Sequence, residues 1–434
     1  MNQRHGTHVI LRAITPSYGA IDAEELNYPY LLASINNYNI PSFLKRTGFE
    51  LMPESLDFRT PAVREDMRVA HLLSAAYRLQ RAWSPAEKLF WSAQFTKTSV
   101  QLFGRPLSGE TAKLAHDELN DFMRIAEDYP DHQEFFAPVL ESYASLCTRK
   151  TYASGSIDTR YQDLMSEIRQ FMNAQYHDVF HCFDSYGLHT LLTPEDLQNL
   201  FARGIEVLSE TDSHWSSWRV VQDKGAKLCV EPGQRKIIIG RHRRPISVSE
   251  ARGLFAHEVL IHACRAKEGK KQSKDLEMGL PDYMAAEEGL GVLIESSING
   301  GIADKVKDRY IDIALALGGK LRRPFSRSEM YNFCFVRSIM RGLDRDEESD
   351  VDEVEAATWE HVNRTYRGSL CYHYVGVFTK DVTYYKGLIK IANYLERHRA
   401  KKGLPELMQY VMQGKFDPTN TTHRQTVKRG KKTI

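Results

Sequence analysis

The sequence predicts an α+β fold that is mostly helical, with a small antiparallel sheet set immediately before one helix rich in ligand-type side chains. Three observations predict it. Helical apolar periodicity runs through most of the 434 residues. Runs of β-branched residues separated by turn signals begin only after Ser213. That region leads directly into Ala256-His257-Glu258-Val259-Leu260-Ile261-His262, which sets two imidazoles and a carboxylate within about a turn of an apolar helix.

Composition narrows the function classes. Lys and Arg number 58 against 56 acidic residues, a net charge of +2, so no overall field recruits nucleic acid or a membrane surface. Cys147, Cys182, Cys229, Cys264, Cys334 and Cys371 are widely spaced and include no Cys-x-x-Cys pair. They read as reduced thiols of a cytoplasmic protein. The short apolar run Val9-Ile10-Leu11 is no signal-peptide core, and no stretch reaches the roughly 20 apolar residues that cross a bilayer.

Taken in order, residues 1–60 are expected to be irregular, since Pro16, Pro29, Pro41 and Pro53 interrupt any long period. Residues 61–200 read as a helical lobe. Val69, Leu72, Leu73, Ala76 and Leu79 recur at helical spacing, and Ser84-Pro85 reads as the N-cap and first residue of the next helix. Amphipathic segments follow at 111–127 and 133–146. His71, His116 and His132 lack spaced partners and read as structural or surface groups, while His177 and His181 at i,i+4 read as a polar helix face. Residues 201–415 are expected to hold the chemistry. Trp218–Gln222, Ala226–Val230 and Lys236–Ile239 form the sheet, with turns at Asp223-Lys224-Gly225 and Pro232-Gly233. Ser247-Val248-Ser249-Glu250 fits a capping box that starts the key helix, and Gly269 with its flanking lysines is expected to end it. Residues 416–434 read as a basic, mobile tail.

Two His and a Glu on one helix are the opening of many zinc peptidases: the imidazoles ligate, and the Glu after the first His acts as general base. That reading makes the fold zincin-like, with Glu258 as base and His257 and His262 as ligands. The spacing is His-Glu-x-x-x-His, one residue longer than the common form. Residues five apart on an α-helix diverge by about 140° around the axis, so shared ligation requires a π-turn between Ala256 and Ala263. A third ligand is expected from 283–295, a helix apolar nearly all round, where an ionised Glu288 or Glu287 is costly without a positive partner. Glu295 lies two turns beyond Glu288 on the same side and reads as a structural ion-pair partner or a neighbour of the ligands.

His257-Glu258-Val-Leu-Ile-His262, Glu287-Glu288-Gly289-Leu290-Gly291, Arg364-Thr-Tyr-Arg367-Gly368 and Phe378-Thr379-Lys380-Asp381 with Tyr384 and Gly387 together resemble one family. It comprises the microtubule-associated tyrosine carboxypeptidases and their bacterial relatives with a Gln-Glu-Gly-Leu-Ala motif. Here Glu287 stands for the usual Gln and Gly291 for the usual Ala, and register with the motif favours Glu288 as third ligand. The resemblance implies one Zn2+ per chain and removal of a C-terminal, tyrosine-like residue from a peptide or protein. A free carboxylate is best held by an arginine fork, so Arg364, Arg367 and Lys380 are the expected substrate-binding residues. The alternatives are a zinc endopeptidase or aminopeptidase, and a non-catalytic regulatory protein on a peptidase scaffold. The motifs leave the physiological substrate and the oligomeric state open.

Overall fold

The computed structural model describes residues 82–147, 157–187, 190–224, 228–319, 324–345, 350–367 and 376–430, with most of 68–79. The expectations for residues 1–60, Leu73, Gly225, Gly368 and Cys371 lie outside the described residues. After the helical residues within 68–79 come helices α1 Pro85–Phe103, α2 Ser108–Asp128 and α3 Gln133–Leu146. They are followed by α4 Gln162–Gln175, α5 His177–Asp184, strand β1 Leu191–Leu192 and α6 Pro194–Thr211. Strands β2 Arg219–Asp223, β3 Leu228–Glu231, β4 Lys236–Gly240 and β5 Ile246–Ser247 lead into α7 Val248–Phe255, a π-helical segment Ala256–Ala263 and α8 Cys264–Gln272. The remaining helices are α9 Lys274–Met278, α10 Met284–Asn299, α11 Asp304–Ala316, α12 Arg327–Asp344, α13 Val351–Thr365, α14 Val382–Lys402, α15 Leu404–Val411 and α16 Thr421–Gly430. No described helix is long and apolar enough to cross a membrane.

The chain divides into two compact units, each built from discontinuous segments. One takes Met1–Ser156 with Lys305–Val382, the other Ile157–Asp304 with Thr383–Ile434. In the first, α1 starts on a full capping box, Ser84 with Glu87, and Pro85 at its first turn. Buried Phe95 and Phe103 of α1 pack on Phe378. A buried charge network ties its helices: Arg337 to Asp312 at 2.8 Å, and Arg341 to Asp308 at 2.6 Å and Glu118 at 2.7 Å.

In the second unit, the sheet has the order β2-β4-β3. It is mixed, not antiparallel as expected: β4 runs parallel to β2 and antiparallel to β3. The reason is burial. Ile237 and Ile239 of β4 are fully buried, so this most apolar strand takes the centre and β2 and β3 flank it instead of closing a hairpin. Ser247 caps α7, its Oγ accepting from Glu250 N at 3.1 Å. Gly269 does not end the helix. It lies within α8, where a Cβ would come 2.1 Å from Leu276 O, so the glycine permits close packing of α9. The segment expected to be a loose tail is helical over Thr421–Gly430, and its Val427 is buried with Leu276, Leu280 and Phe416.

Helices α10 and α14 meet backbone to backbone. A Cβ at Gly289 would lie 2.0 Å from Gly387 C, and one at Gly387 would lie 1.9 Å from Ala285 O. Gly289→Ala and Gly387→Ala are therefore each expected to destabilise the unit by about 1–3 kcal/mol, the usual range for an overpacked core. Because the two glycines share one contact, the double variant is expected to lose less than the sum. Thermal unfolding of the three variants checks this, and full additivity would contradict the shared contact.

Candidate metal centre

The five-residue spacing is accommodated as the sequence requires. Ala256–Ala263 is π-helical, with Cys264 N donating to Val259 O across five residues. This wider turn carries His257 and His262 to one side of the helix, their ring centroids 4.8 Å apart. Proline is absent from the segment and so is glycine, so the distortion is one that the side chains and their packing sustain.

Helix α10 packs against the π segment and supplies three carboxylates with different partners. Glu288 faces both rings: its Oε2 is 3.8 Å from His257 Nε2 and 3.6 Å from His262 Nε2. Glu295 accepts from His257 Nδ1 at 2.8 Å. Glu287 accepts from His262 Nδ1 at 2.9 Å and is bridged to the buried Arg265, whose Nη2 donates to Phe416 O at 2.7 Å. Both Nδ1 atoms thus face carboxylates, and both Nε2 atoms are directed to the side where Glu288 stands, where they offer lone pairs once deprotonated. One ligand-type atom from each of His257, His262 and Glu288 lies within 4.8 Å of the others, so these three could hold a metal ion. Glu287 and Glu288 are separated by this geometry: the first orients an imidazole, the second faces the common point.

The site's electrostatics follow from burial and these partners. Burial opposes the imidazolium of His257, but the facing Glu288 carboxylate and the bond to Glu295 outweigh that and lift its pKa to about 10. The His262 pKa is also raised, its bond to Glu287 and the facing Glu288 carboxylate outweighing burial. Burial alone would raise Glu287; the Arg265 charge, the His262 bond and Lys415 instead lower it to about 2. Burial also raises Glu258, reinforced by Glu288 and Glu295 and opposed by the two histidines. A carboxylate held above its usual range beside a cluster of ligand-type groups is a better proton acceptor than an ordinary one. Gly291 matters locally, since a Cβ there would sit 2.5 Å from His257 Nε2.

The expected substrate-binding residues belong to the other unit. Arg364 is held bidentately by Asp381, at 2.8 and 3.2 Å. The Arg367 guanidinium lies over the Phe378 ring, 5.8 Å from its centroid, and Lys380 is buried. His177 and His181 are solvent-exposed and stacked on one another. Sequence reasoning missed Arg265, although a lone arginine three residues after His262 on an apolar helix is a signal for a buried carboxylate partner.

Two helices that present imidazoles and a carboxylate to one point define a His-His-Glu type of site. Residues 346–429 match the family model described as microtubule-associated tyrosine carboxypeptidase. That segment carries Arg364, Arg367, Lys380, Tyr384 and Gly387, while the His-His-Glu centre precedes it. No curated protein and no solved structure matches.

Proposed function

We propose that the protein is a zincin-like, zinc-dependent carboxypeptidase that releases a C-terminal, tyrosine-like residue from a peptide or protein. The observation that carries this reading is the paired orientation of His257 and His262, each Nδ1 bound to a carboxylate and each Nε2 turned to Glu288. The donor set fits zinc, which takes two imidazoles and a carboxylate with one position left for water or substrate. His257, His262 and Glu288 would hold it, Glu295 and Glu287 would fix the two rings, and Arg265 would keep Glu287 ionised. When bound, zinc supplies Lewis-acid polarisation of the scissile carbonyl and acidifies water. Glu258 accepts a proton from the attacking water and returns it to the departing amine, the exchange for which its raised pKa suits it. Arg364, Arg367 and Lys380 remain the family-derived proposal for binding substrate.

An exopeptidase that reads a free carboxylate discriminates by charge. A peptide ending in tyrosine is expected to be cut as the free acid and spared as the amide; end-group analysis of the products checks this, and equal cleavage of both forms favours an endopeptidase. Zinc uptake is also expected to release protons. Below pH about 10 the metal-free His257 carries a proton that ligation must displace, so at pH 7 binding liberates at least one proton and apparent affinity rises with pH. Calorimetric titration with zinc in two buffers of different ionisation heat measures it, and equal heats would contradict it.

A further inference from the structure

We propose that Arg243 is the anchor for the substrate's free C-terminal carboxylate, an inference that rests on the carboxypeptidase reading and adds a residue to it. Arg243 lies in the connection between β4 and β5, directly before the Ser247 cap of α7, and its own amide donates to Gly240 O at 3.2 Å. That connection is fixed at both ends. The β4 ladder holds one, and Leu192 of β1 pairs with Ile246 at the other. Within the basic run Arg241-His242-Arg243-Arg244 the first, second and fourth side chains are exposed, and only Arg243 is turned inward.

Its guanidinium differs from three other inward-facing arginines among the described residues. Arg265, Arg337 and Arg364 are each fixed on a carboxylate. Arg243 makes no side-chain hydrogen bond or ion pair among the described residues, and its Nε is buried without a partner. It nevertheless feels the charges of Glu250, Glu258 and Glu295, so it stands within the electrostatic reach of the proposed base. Burial depresses its pKa despite those three carboxylates, so they compensate its charge only in part. A half-buried guanidinium with unused donors, held on a rigid connection within the electrostatic reach of Glu258, is complementary to a planar anion with two oxygens. Arg364, whose Nε and Nη2 already bind Asp381, is less available for the same task.

The test measures binding and so does not depend on turnover. Zinc-loaded Glu258→Gln protein is titrated by calorimetry with a tyrosine-terminated peptide, as free acid and as amide, with and without Arg243→Ala. The expected result is a loss of about 30-fold or more in affinity for the free acid, an unchanged affinity for the amide and unchanged zinc content. Arg243→Lys, which keeps a cation but not the fork, is expected to fall between, and it serves if the alanine variant does not fold. In the otherwise native enzyme the defect is expected in KM rather than kcat, with millimolar guanidine restoring part of it. Unchanged free-acid affinity in both zinc-loaded variants would overturn the role of Arg243 and leave the carboxypeptidase reading intact. A native enzyme that binds and cleaves acid and amide alike would remove that reading, and this inference with it.

Discussion

Glu258→Gln is expected to lower turnover by about 10²–10⁴-fold, the range for loss of a positioned general base, while leaving zinc content and melting temperature unchanged. The amide is nearly isosteric with the carboxylate but cannot take a proton from water. Glu258 is no member of the group whose ligand atoms converge, which comprises His257, His262 and Glu288, so its replacement leaves the donor set whole. Its shifted pKa reflects burial and the neighbouring Glu288 and Glu295, and the glutamine removes a charge that burial already disfavours. Assay of the purified variant beside zinc analysis checks both halves, and retained full activity would remove Glu258 from the chemistry.

Glu288→Ala and His262→Ala are expected to lose most of the metal, whereas Glu295→Gln and Glu287→Gln are expected to weaken zinc affinity only about 10–100-fold. The difference follows from position on one helix. Glu288 faces both Nε2 atoms, while Glu295 and Glu287 touch Nδ1 atoms on the far sides of the rings. Glu287→Gln carries a second consequence. Arg265 is 1% exposed and would lose its ionic partner, so this variant is expected to be the less stable of the two outer substitutions. Competition with a chromophoric zinc chelator ranks the four variants. Equal affinities for Glu288→Ala and Glu295→Gln would contradict the assignment of Glu288 as the third ligand.

The parts of the site that were legible in the sequence are those where chemistry and helix geometry constrain one another. A five-residue spacing between two ligands is incompatible with an α-helix, so the π segment at Ala256–Ala263 follows from the ligand hypothesis alone. The choice between Glu287 and Glu288 was not legible from burial, because α10 is buried on every side and adjacent carboxylates both require partners. Their placement separates them: Glu287 meets His262 Nδ1 and Arg265, while Glu288 faces both Nε2 atoms. The sheet topology was hidden for a different reason. Strands of four or five residues announce their existence but not their neighbours, and the burial of Ile237 and Ile239 that centres β4 is a tertiary effect. Likewise Val427 is the one buried apolar side chain described in a basic segment, too little for periodicity to reveal α16. Arg243 was invisible because four consecutive basic residues in a loop read as a solvated surface.

Quantitative metal analysis of protein purified without chelators tests the central claim most directly. One zinc per chain is expected in the native protein, with near-complete loss on His262→Ala and Glu288→Ala and full retention on Glu258→Gln. A folded native protein that carries no zinc, and takes up none when the metal is supplied in excess, would contradict it.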